Sequence, residues 1–142
     1  MRDAYALRTI PGYCASMPGI QLGTQLPGDA SDEDMQFARQ LGVEWVMTGL
    51  PEGQVESSAH YRALRERFEA HGLKIYRLHN HSCHNVEEIT LNLPGRDRKI
   101  DEYLAYIHHL GEAGIRYATY AHMANGIWST GREQTRGGAE GR

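Results

Sequence analysis

The sequence of 142 residues predicts an α/β fold in which strands and amphipathic helices alternate around a parallel sheet. Three times, a helix-like segment ends on a glycine and a short apolar run follows at once; these glycines are Gly42, Gly72 and Gly114. Glycine accepts the left-handed conformation that ends a helix, and the β-branched and aromatic residues after it suit a strand buried between helices. Such alternation is typical of parallel strands joined by right-handed crossovers.

About four strands and three helices are expected. The first strand is predicted at residues 20–24, and the others follow the glycines, at residues 43–48, 73–78 and 115–120. A serine or aspartate before a helix acts as N-cap because its side-chain oxygen accepts a hydrogen bond from the first turn; the predicted caps are Ser31, Ser57 or Ser58, and Asp97. Apolar residues at helical spacing are Met35, Ala38 and Leu41, then Tyr61, Leu64, Phe68 and His71, and finally Ile100, Tyr103, Leu104, Ile107 and Leu110.

The spacing of the glycines favours one kind of parallel fold. Gly42 and Gly72 are 30 residues apart, close to the roughly 31 expected when about 250 residues form the eight βα units of a TIM barrel. We therefore expect one partial domain over residues 1–142, the N-terminal half of a (β/α)8 TIM barrel, with an irregular lead-in at 1–18 and a flexible loop or tail at 126–142. A complete flavodoxin-like sheet is the alternative, although no predicted helix follows the last strand to cover it.

Composition and charge narrow the class of protein. The net charge is −3 and the pI is near 6.2, so the sequence lacks the excess of cations that nucleic acid binding requires. No stretch approaches the roughly 18 apolar residues of a membrane span, and no secretory leader is recognisable. We expect a cytoplasmic protein without nucleic acid or membrane partners.

Residues capable of chemistry follow the third and fourth predicted strands, at the edge where parallel sheets build active sites. His79, His81, Cys83 and His84 follow strand three, and strand four is followed by a loop with His122, Asn125 and Trp128. Imidazole and thiolate bind zinc and related ions. However, only His79 and His81 share the two-residue spacing that points side chains to one face of a strand. Polar lining of a pocket is therefore the favoured interpretation, and Trp128 either stacks on a sugar or anchors packing.

Arg96 and Asp97 also allow two interpretations. Pro94 and Gly95 predict a turn, Asp97 a helix cap, and Arg96 a solvated side chain. Alternatively, the Arg96 guanidinium binds a substrate carboxylate through two parallel hydrogen bonds. The absence of GxGxxG, P-loop, GxSxG and HExxH patterns disfavours nucleotide-dependent, serine-hydrolase and zinc-protease functions.

Several segments resemble the N-terminal half of mannonate dehydratase, a family of the xylose-isomerase-like TIM barrels. The most specific are Thr48-Gly49-Leu50-Pro51 and Leu93-Pro94-Gly95-Arg96-Asp97, and the similarity extends over about residues 20–130. Residues 125–132 depart from the dehydratase pattern, which leaves a sugar or sugar-phosphate isomerase or epimerase as an alternative. A non-catalytic half-barrel that self-associates through its open sheet edges is a further alternative.

The resemblance implies dehydration of D-mannonate to 2-keto-3-deoxygluconate, a lyase reaction assisted by Mn²⁺ or Mg²⁺. The family's metal ligands come from later strands, so no metal ligand is assigned to this chain, which we expect to be a truncated form inactive alone. His81 is the candidate catalytic residue because an imidazole titrates near neutrality. The candidate substrate-binding residues are His84, Arg96, His122, Asn125 and Trp128.

Overall fold

The computed structural model describes residues 20–51, 53–54, 56–121 and 131–141. Its strands are β1 Gly23–Gln25, β2 Trp45–Thr48, β3 Lys74–His79, β4 Ala118–Thr119, β5 Glu133–Gln134 and β6 Glu140–Gly141. Its α-helices are α1 Asp32–Gln40, α2 Ser58–Ala70, α3 Glu87–Thr90 and α4 Arg96–Glu112. The chain forms two compact units: residues up to His79 together with Tyr106–Thr119, and Asn80–Ala105 together with the residues from Tyr120 onward.

The first unit contains a four-stranded sheet in the order β1-β2-β3-β4, and all its strand pairs are parallel. When neighbouring parallel strands are also consecutive in the chain, right-handed crossovers place their helices on one face of the sheet. A flavodoxin-like sheet instead has the order 2-1-3-4-5. The strand order therefore confirms the predicted βα repeat and excludes the flavodoxin-like alternative. The three predicted helices correspond to α1, α2 and α4, and α3 is an additional single turn.

The three glycines end their helices in one repeated hydrogen-bond pattern. Gly42, Gly72 and Gly114 have φ of +81°, +73° and +78°. Each donates its N–H to the carbonyl three residues earlier, and the next residue donates to the carbonyl five residues earlier. This is the Schellman motif, which brings the residue after the glycine against the last helical turn. The residues so joined are buried in every copy: Val43 with Ala38, Leu73 with Phe68, and Ile115 with Leu110.

Two of the predicted helix caps are correct and one is wrong. Ser31 and Asp34 form a capping box, in which the Asp34 N–H donates to Ser31 Oγ at 3.1 Å. Ser57 caps α2 by accepting from the His60 N–H at 3.2 Å. Asp97 is not the N-cap of its helix, because α4 begins at Arg96 and the Asp97 carboxylate accepts a hydrogen bond from the Arg96 side chain instead.

The buried residues confirm the predicted stripes of α1 and α2 more closely than the predicted stripe of α4. Met35, Tyr61 and Phe68 are almost fully buried. On α4 the predicted stripe is largely exposed: Ile100 is 37% exposed, Leu104 58% and Ile107 40%. Besides Leu110, the residue that α4 buries is Tyr106, whose ring centroid lies 6.0 Å from that of Tyr61. Leu41, predicted on the α1 stripe, is also exposed.

The remaining described residues add a small hairpin. β5 and β6 pair antiparallel. Beside them, Arg132 Nη1 donates a hydrogen bond to Glu140 Oε2 at 3.0 Å. They lie within residues 126–142, where a loop or tail is predicted. The predicted lead-in lies outside the described residues. In the part of the chain that the structure describes, no helix has the length and apolar character needed to cross a membrane.

A polar cluster joins the start of α2 to the end of α4. The Ser58 hydroxyl donates to Glu112 Oε2 and lies 3.2 Å from His109 Nδ1, while His108 Nε2 lies 3.1 Å from Glu112 Oε1. The hydrogen bond from Ser58, followed by the charges of His108 and His109, holds the pKa of the Glu112 carboxyl below its ordinary value. Since this pKa is lower in the folded chain, the cluster stabilises the fold above the unfolded pKa, and this contribution is lost as pH falls through the folded pKa.

The Ser58→Ala substitution is expected to raise the pKa of the Glu112 carboxyl toward its ordinary value, because the hydrogen bond from Ser58 is its largest cause. A side-chain carbon NMR titration measures the change. The matched variant His108→Gln removes the charge and the hydrogen bond of His108, which also lower this pKa, and should likewise raise it. An unchanged Glu112 pKa in Ser58→Ala would contradict this account.

Candidate functional site

The carboxyl end of β2 is held in place by two glycines. Thr48 and Gly49 are buried, and Leu50 and Pro51 after them are half-buried. A Cβ at Gly28 would collide with the Gly49 carbonyl oxygen and would lie 2.9 Å from Pro51 Cδ. The segment 48–51, one of the two motifs on which the resemblance rests, is therefore packed directly against the loop that follows β1.

The end of β3 meets the end of β2 through His79. A Cβ at Gly49 would lie 3.0 Å from His79 Nε2 and 3.0 Å from the His79 carbonyl oxygen. Distances this short are tighter than nine in ten real Cβ contacts, so the His79 ring lies where a side chain at position 49 would be. The two strand ends thus form one surface at the edge where parallel sheets build sites.

Side chains alternate across β2 and β3 so that one face of the sheet joins the core. Val46 pairs with Ile75 and Thr48 with Leu78, and all four are buried. The half-buried residues Trp45, Met47, Tyr76 and Arg77 form the other face, which we call the inner face. A register shift between Val46 and Met47 accommodates the additional residue Tyr76, so that Arg77 pairs with Met47.

The second unit contains the long segment between β3 and α4. Ser82 folds back on Asn80, whose Oδ1 accepts from the Ser82 N–H at 3.0 Å and from the Ser82 hydroxyl at 2.7 Å. An open groove of about 680 Å³ follows, lined by Ser82, His84, Asn85, Val86, Glu87, Glu88, Leu93, Pro94 and Lys99. This lining contains carboxylates, an imidazole and a cation, which are groups able to hydrogen-bond a polyhydroxylated ligand. The groove supports the interpretation of this segment as polar pocket lining.

Arg96 bridges the turn before α4 and the first turn of that helix. Its Nη1 donates to Asn92 Oδ1 at 2.6 Å, and its Nε donates to Asp97 Oδ1 at 2.8 Å. Asn92 has a φ of +54°, so the guanidinium also holds a residue in the left-handed region. These contacts give Arg96 a structural role, and Arg96 is not among the residues that line the groove.

The structure brings only part of the predicted site together. His84 lines the groove of the second unit. His81 lies in a 3₁₀ turn at His81–Cys83, although its side chain is outside what the structure describes. His122, Asn125 and Trp128 lie outside the described residues.

A divalent metal has no set of ligands among the described residues. No three His, Cys, Asp or Glu side chains in this part of the chain form a group that could hold an ion. The described residues therefore do not fit the metal that the resemblance implies.

Comparison with known protein families identifies the family of this chain. Residues 28–140 match the sequence profile of D-mannonate dehydratase (UxuA). This chain belongs to the mannonate dehydratase family. The match includes residues 48–51 and 93–97, so the resemblance based on those motifs is confirmed.

Curated mannonate dehydratases are similar over much of this chain and a small part of their own length. Mannonate dehydratase 1 of Halalkalibacterium halodurans is 32% identical over 87 residues, which are 61% of this chain and 24% of that protein. The mannonate dehydratase of Thermotoga maritima is 35% identical over 98 residues, which are 66% of this chain and 27% of that protein. This member of the family thus matches about a quarter of the length of these relatives.

Two crystal structures share the fold. The mannonate dehydratase of Streptococcus suis serotype 2 superposes with a TM-score of 0.66 at 22% identity, covering 78% of this chain and 32% of that one. A xylose isomerase domain protein from Planctomyces limnophilus superposes with a TM-score of 0.50 at 16% identity, covering 68% and 39%. At these identities the likeness shows the fold alone, and it agrees with the parallel βα units of a TIM barrel predicted from the glycine spacing.

The site predicted from the sequence does not include Gly28 or the residues of the inner face. Pro27-Gly28 is visible in the sequence as a turn signal, but its contact with Gly49 joins residues far apart in the chain. The signal for the inner face is Arg77, a cation between Tyr76 and Leu78 in a segment predicted to be a buried strand. An arginine in such a strand needs a partner, which the sequence does not identify.

Proposed function

We propose that this chain supplies the first βα units of a sugar-acid dehydratase acting on D-mannonate. The observation that carries the proposal is the family match over residues 28–140, together with the consecutive parallel order of β1 to β4. The reaction removes the proton beside the carboxylate, breaks the C3–oxygen bond and releases water; the resulting enol becomes the ketone of 2-keto-3-deoxygluconate. Mn²⁺ or Mg²⁺ is part of the proposal through the family, with ligands outside the described residues.

Within this proposal, the residues after the strands surround the sugar chain. We assign His81 to proton transfer, since an imidazole can both take and return a proton near neutral pH. His84, Arg96, His122, Asn125 and Trp128 are the proposed substrate-binding residues. The groove that His84 lines supports its assignment, whereas the contacts of Arg96 with Asn92 and Asp97 leave fewer of its N–H groups for a ligand.

The activity of the whole enzyme is tested by fragment complementation, because this chain matches about a quarter of the length of its relatives. The 142-residue chain is co-expressed with the remaining C-terminal portion of the Thermotoga maritima enzyme. D-mannonate is added with Mn²⁺ or Mg²⁺, and 2-keto-3-deoxygluconate is measured. We expect product only when both polypeptides are present. We also expect His81→Gln to slow product formation, whereas the control His108→Gln, which changes an exposed histidine outside the proposed site, should not.

Other products would favour the alternatives. A sugar isomer formed without loss of water would replace the dehydratase with an isomerase or epimerase. A stable dimer of the chain that forms no product with the C-terminal portion would favour the self-associating half-barrel. Either outcome would contradict the proposed function.

A further inference from the structure

An apolar pocket lies beside β4 in the first unit, between that strand and the end of α4. It is open to solvent and has a volume of about 390 Å³. Its lining includes Leu110 and Ile115, which are buried, and Ile107 and Tyr117, which are 40% and 50% exposed. Among the described residues, no atom lies within 4 Å of the position that a Cβ on Gly111 would occupy. The pocket is therefore an accessible apolar surface with room for another chain segment.

β4 is an edge strand of the described sheet. It follows β3 at the end of the strand order, and its outer side has no partner strand among the described residues. The Tyr117 carbonyl accepts a hydrogen bond from the Leu78 N–H at 3.0 Å, so the backbone of Tyr117 faces β3. Because successive residues of a parallel strand point their N–H and C=O groups to alternate sides, those of Arg116 and Ala118 point away from β3. Such an edge is a template for pairing with another strand.

The contacts between consecutive βα units indicate what fits this pocket. α1 packs Arg39 beside the glycine that ends the next helix of the repeat, since a Cβ at Gly72 would lie 3.2 Å from Arg39 Nε. α2 makes the same contact, because a Cβ at Gly114 would collide with the Arg65 guanidinium. In both cases a side chain from the second half of one helix covers the glycine turn of the following unit.

The same helical positions of α4 line the pocket. Arg39 lies three residues before the glycine that ends α1, and Arg65 lies seven residues before the glycine that ends α2. Positions four residues apart on a helix share one face. The corresponding positions on α4, counted back from Gly114, are Gly111 and Ile107, and both line the pocket. The pocket thus lies where the first two units hold the glycine turn of their successors.

The backbone edge repeats as well. Glu44 and Lys74 each lie two residues after a helix-ending glycine, and the Lys74 N–H donates to the Glu44 carbonyl oxygen at 2.8 Å. Arg116 is the equivalent residue after Gly114, and its carbonyl points away from β3. A strand placed beside β4 in the same register would donate to this carbonyl from the residue two positions after its own glycine. The pocket and the strand edge therefore fit one occupant.

We infer that this pocket and the outer edge of β4 form the docking surface for a further βα unit. The strand of that unit pairs in parallel with β4, and the glycine turn that ends its helix packs on Ile107 and Gly111. The inference rests on the proposed function, which supplies the occupant: the C-terminal portion of a mannonate dehydratase. This chain matches 27% of the Thermotoga maritima relative, which therefore has a long portion outside the match.

A second copy of this chain is the competing occupant. Its free strand edge is β1, the other end of the described strand order. The sequence before β1 contains Pro11, Gly12 and Pro18 and predicts an irregular lead-in. A helix that ends on a glycine, which the repeat places on α4, is not predicted there. The C-terminal portion of a relative is therefore the better fit.

The test measures how much of the C-terminal portion binds to the chain. A tagged 142-residue chain is co-expressed with the C-terminal portion of the Thermotoga maritima enzyme, and the amount recovered with the tag is quantified. Ile107→Glu should reduce this amount about tenfold or more, because a carboxylate placed in an apolar contact costs free energy. The matched control is Ala63→Glu, which adds the same residue at an exposed position of α2. It should leave the recovered amount unchanged.

Hydrogen exchange in the complex of the unmodified chain gives a second measurement, which applies even if Ile107→Glu does not fold. The Ala118 N–H points to the outer side of β4, so pairing with a new strand should slow its exchange about tenfold or more. The Leu78 N–H is the internal control because it already donates to the Tyr117 carbonyl. Its exchange should slow by a smaller factor.

Three results would overturn the inference. The C-terminal portion could fail to be recovered with the original chain, or be recovered equally with Ile107→Glu, or leave the exchange at Ala118 unchanged. A dimer of the chain that Ile107→Glu dissociates, and that the C-terminal portion does not displace, would assign the pocket to a second copy and reject the proposed occupant.

The outcome is separable from that of the proposed function. Binding that depends on Ile107, without dehydration of D-mannonate, would retain the docking surface and reject the reaction. Dehydration at an unchanged rate with Ile107→Glu would retain the reaction and reject the docking surface.

Discussion

Replacing Tyr106 with alanine is expected to lower the free energy of unfolding by about 3–5 kcal/mol, the range for removing a large aromatic side chain from a core. Tyr106 is fully buried, and its ring packs at 6.0 Å from the ring of Tyr61. Its hydroxyl lies 3.5 Å from the Leu78 carbonyl oxygen, a long hydrogen bond that contributes little. Urea unfolding followed by circular dichroism measures the loss, and Tyr106→Phe should retain most of the stability.

Leu104→Ala is the matched control on the same helix. Leu104 is 58% exposed, and alanine has the higher helix propensity, so we expect a change within about 0.5 kcal/mol. The predicted stripe of α4 contains Leu104 and omits Tyr106, so the two variants also decide between the two faces. A loss at Leu104 as large as that at Tyr106 would mean that α4 buries the face containing Leu104.

The sequence predicts helix ends better than it predicts the buried face of α4. A Schellman motif is local: the glycine, the buried residue after it and the last helical turn all lie within six residues, so Gly42, Gly72 and Gly114 reveal three helix ends. On α4, by contrast, both Leu104 and Tyr106 belong to apolar sets at helical spacing. Spacing alone does not indicate which set faces the sheet, because tertiary packing makes that choice.

The candidate site shows the same division between local and long-range information. The order of strands predicts that candidate site residues follow β3, and the groove containing His84 lies there. The turn signal before Arg96 is also local. The hydrogen bond from the Arg96 side chain to Asn92, however, gives the Arg96 guanidinium a structural role that the turn signal does not reveal. The inner face depends on the pairing of Met47 with Arg77 across a register shift, which no pattern within one strand reveals.

Gly28→Ala is expected to destabilise the fold by about 1–3 kcal/mol, the cost of forcing additional atoms into a packed region. The new Cβ would meet the Gly49 carbonyl and Pro51 Cδ, and the backbone there has no flexible side chain that can move aside. The Gly28 carbonyl also accepts a hydrogen bond from Arg67 at 3.0 Å, which restrains the loop from the other side. Urea unfolding measures the stability, and the imidazole NMR signals of His79 should shift because its ring rests on Gly49.

Gly111→Ala separates this steric effect from the general effect of removing a glycine. Gly111 is exposed near the end of α4, and no atom lies within 4 Å of the position its Cβ would occupy. Alanine there should stabilise the helix by up to about 1 kcal/mol. Opposite signs in the two variants would establish that residues 48–51 are held by contact with the loop after β1. If Gly28→Ala were stabilised as Gly111→Ala is, the contact at Gly28 would relax without cost, and His79 would then be positioned by β3 alone.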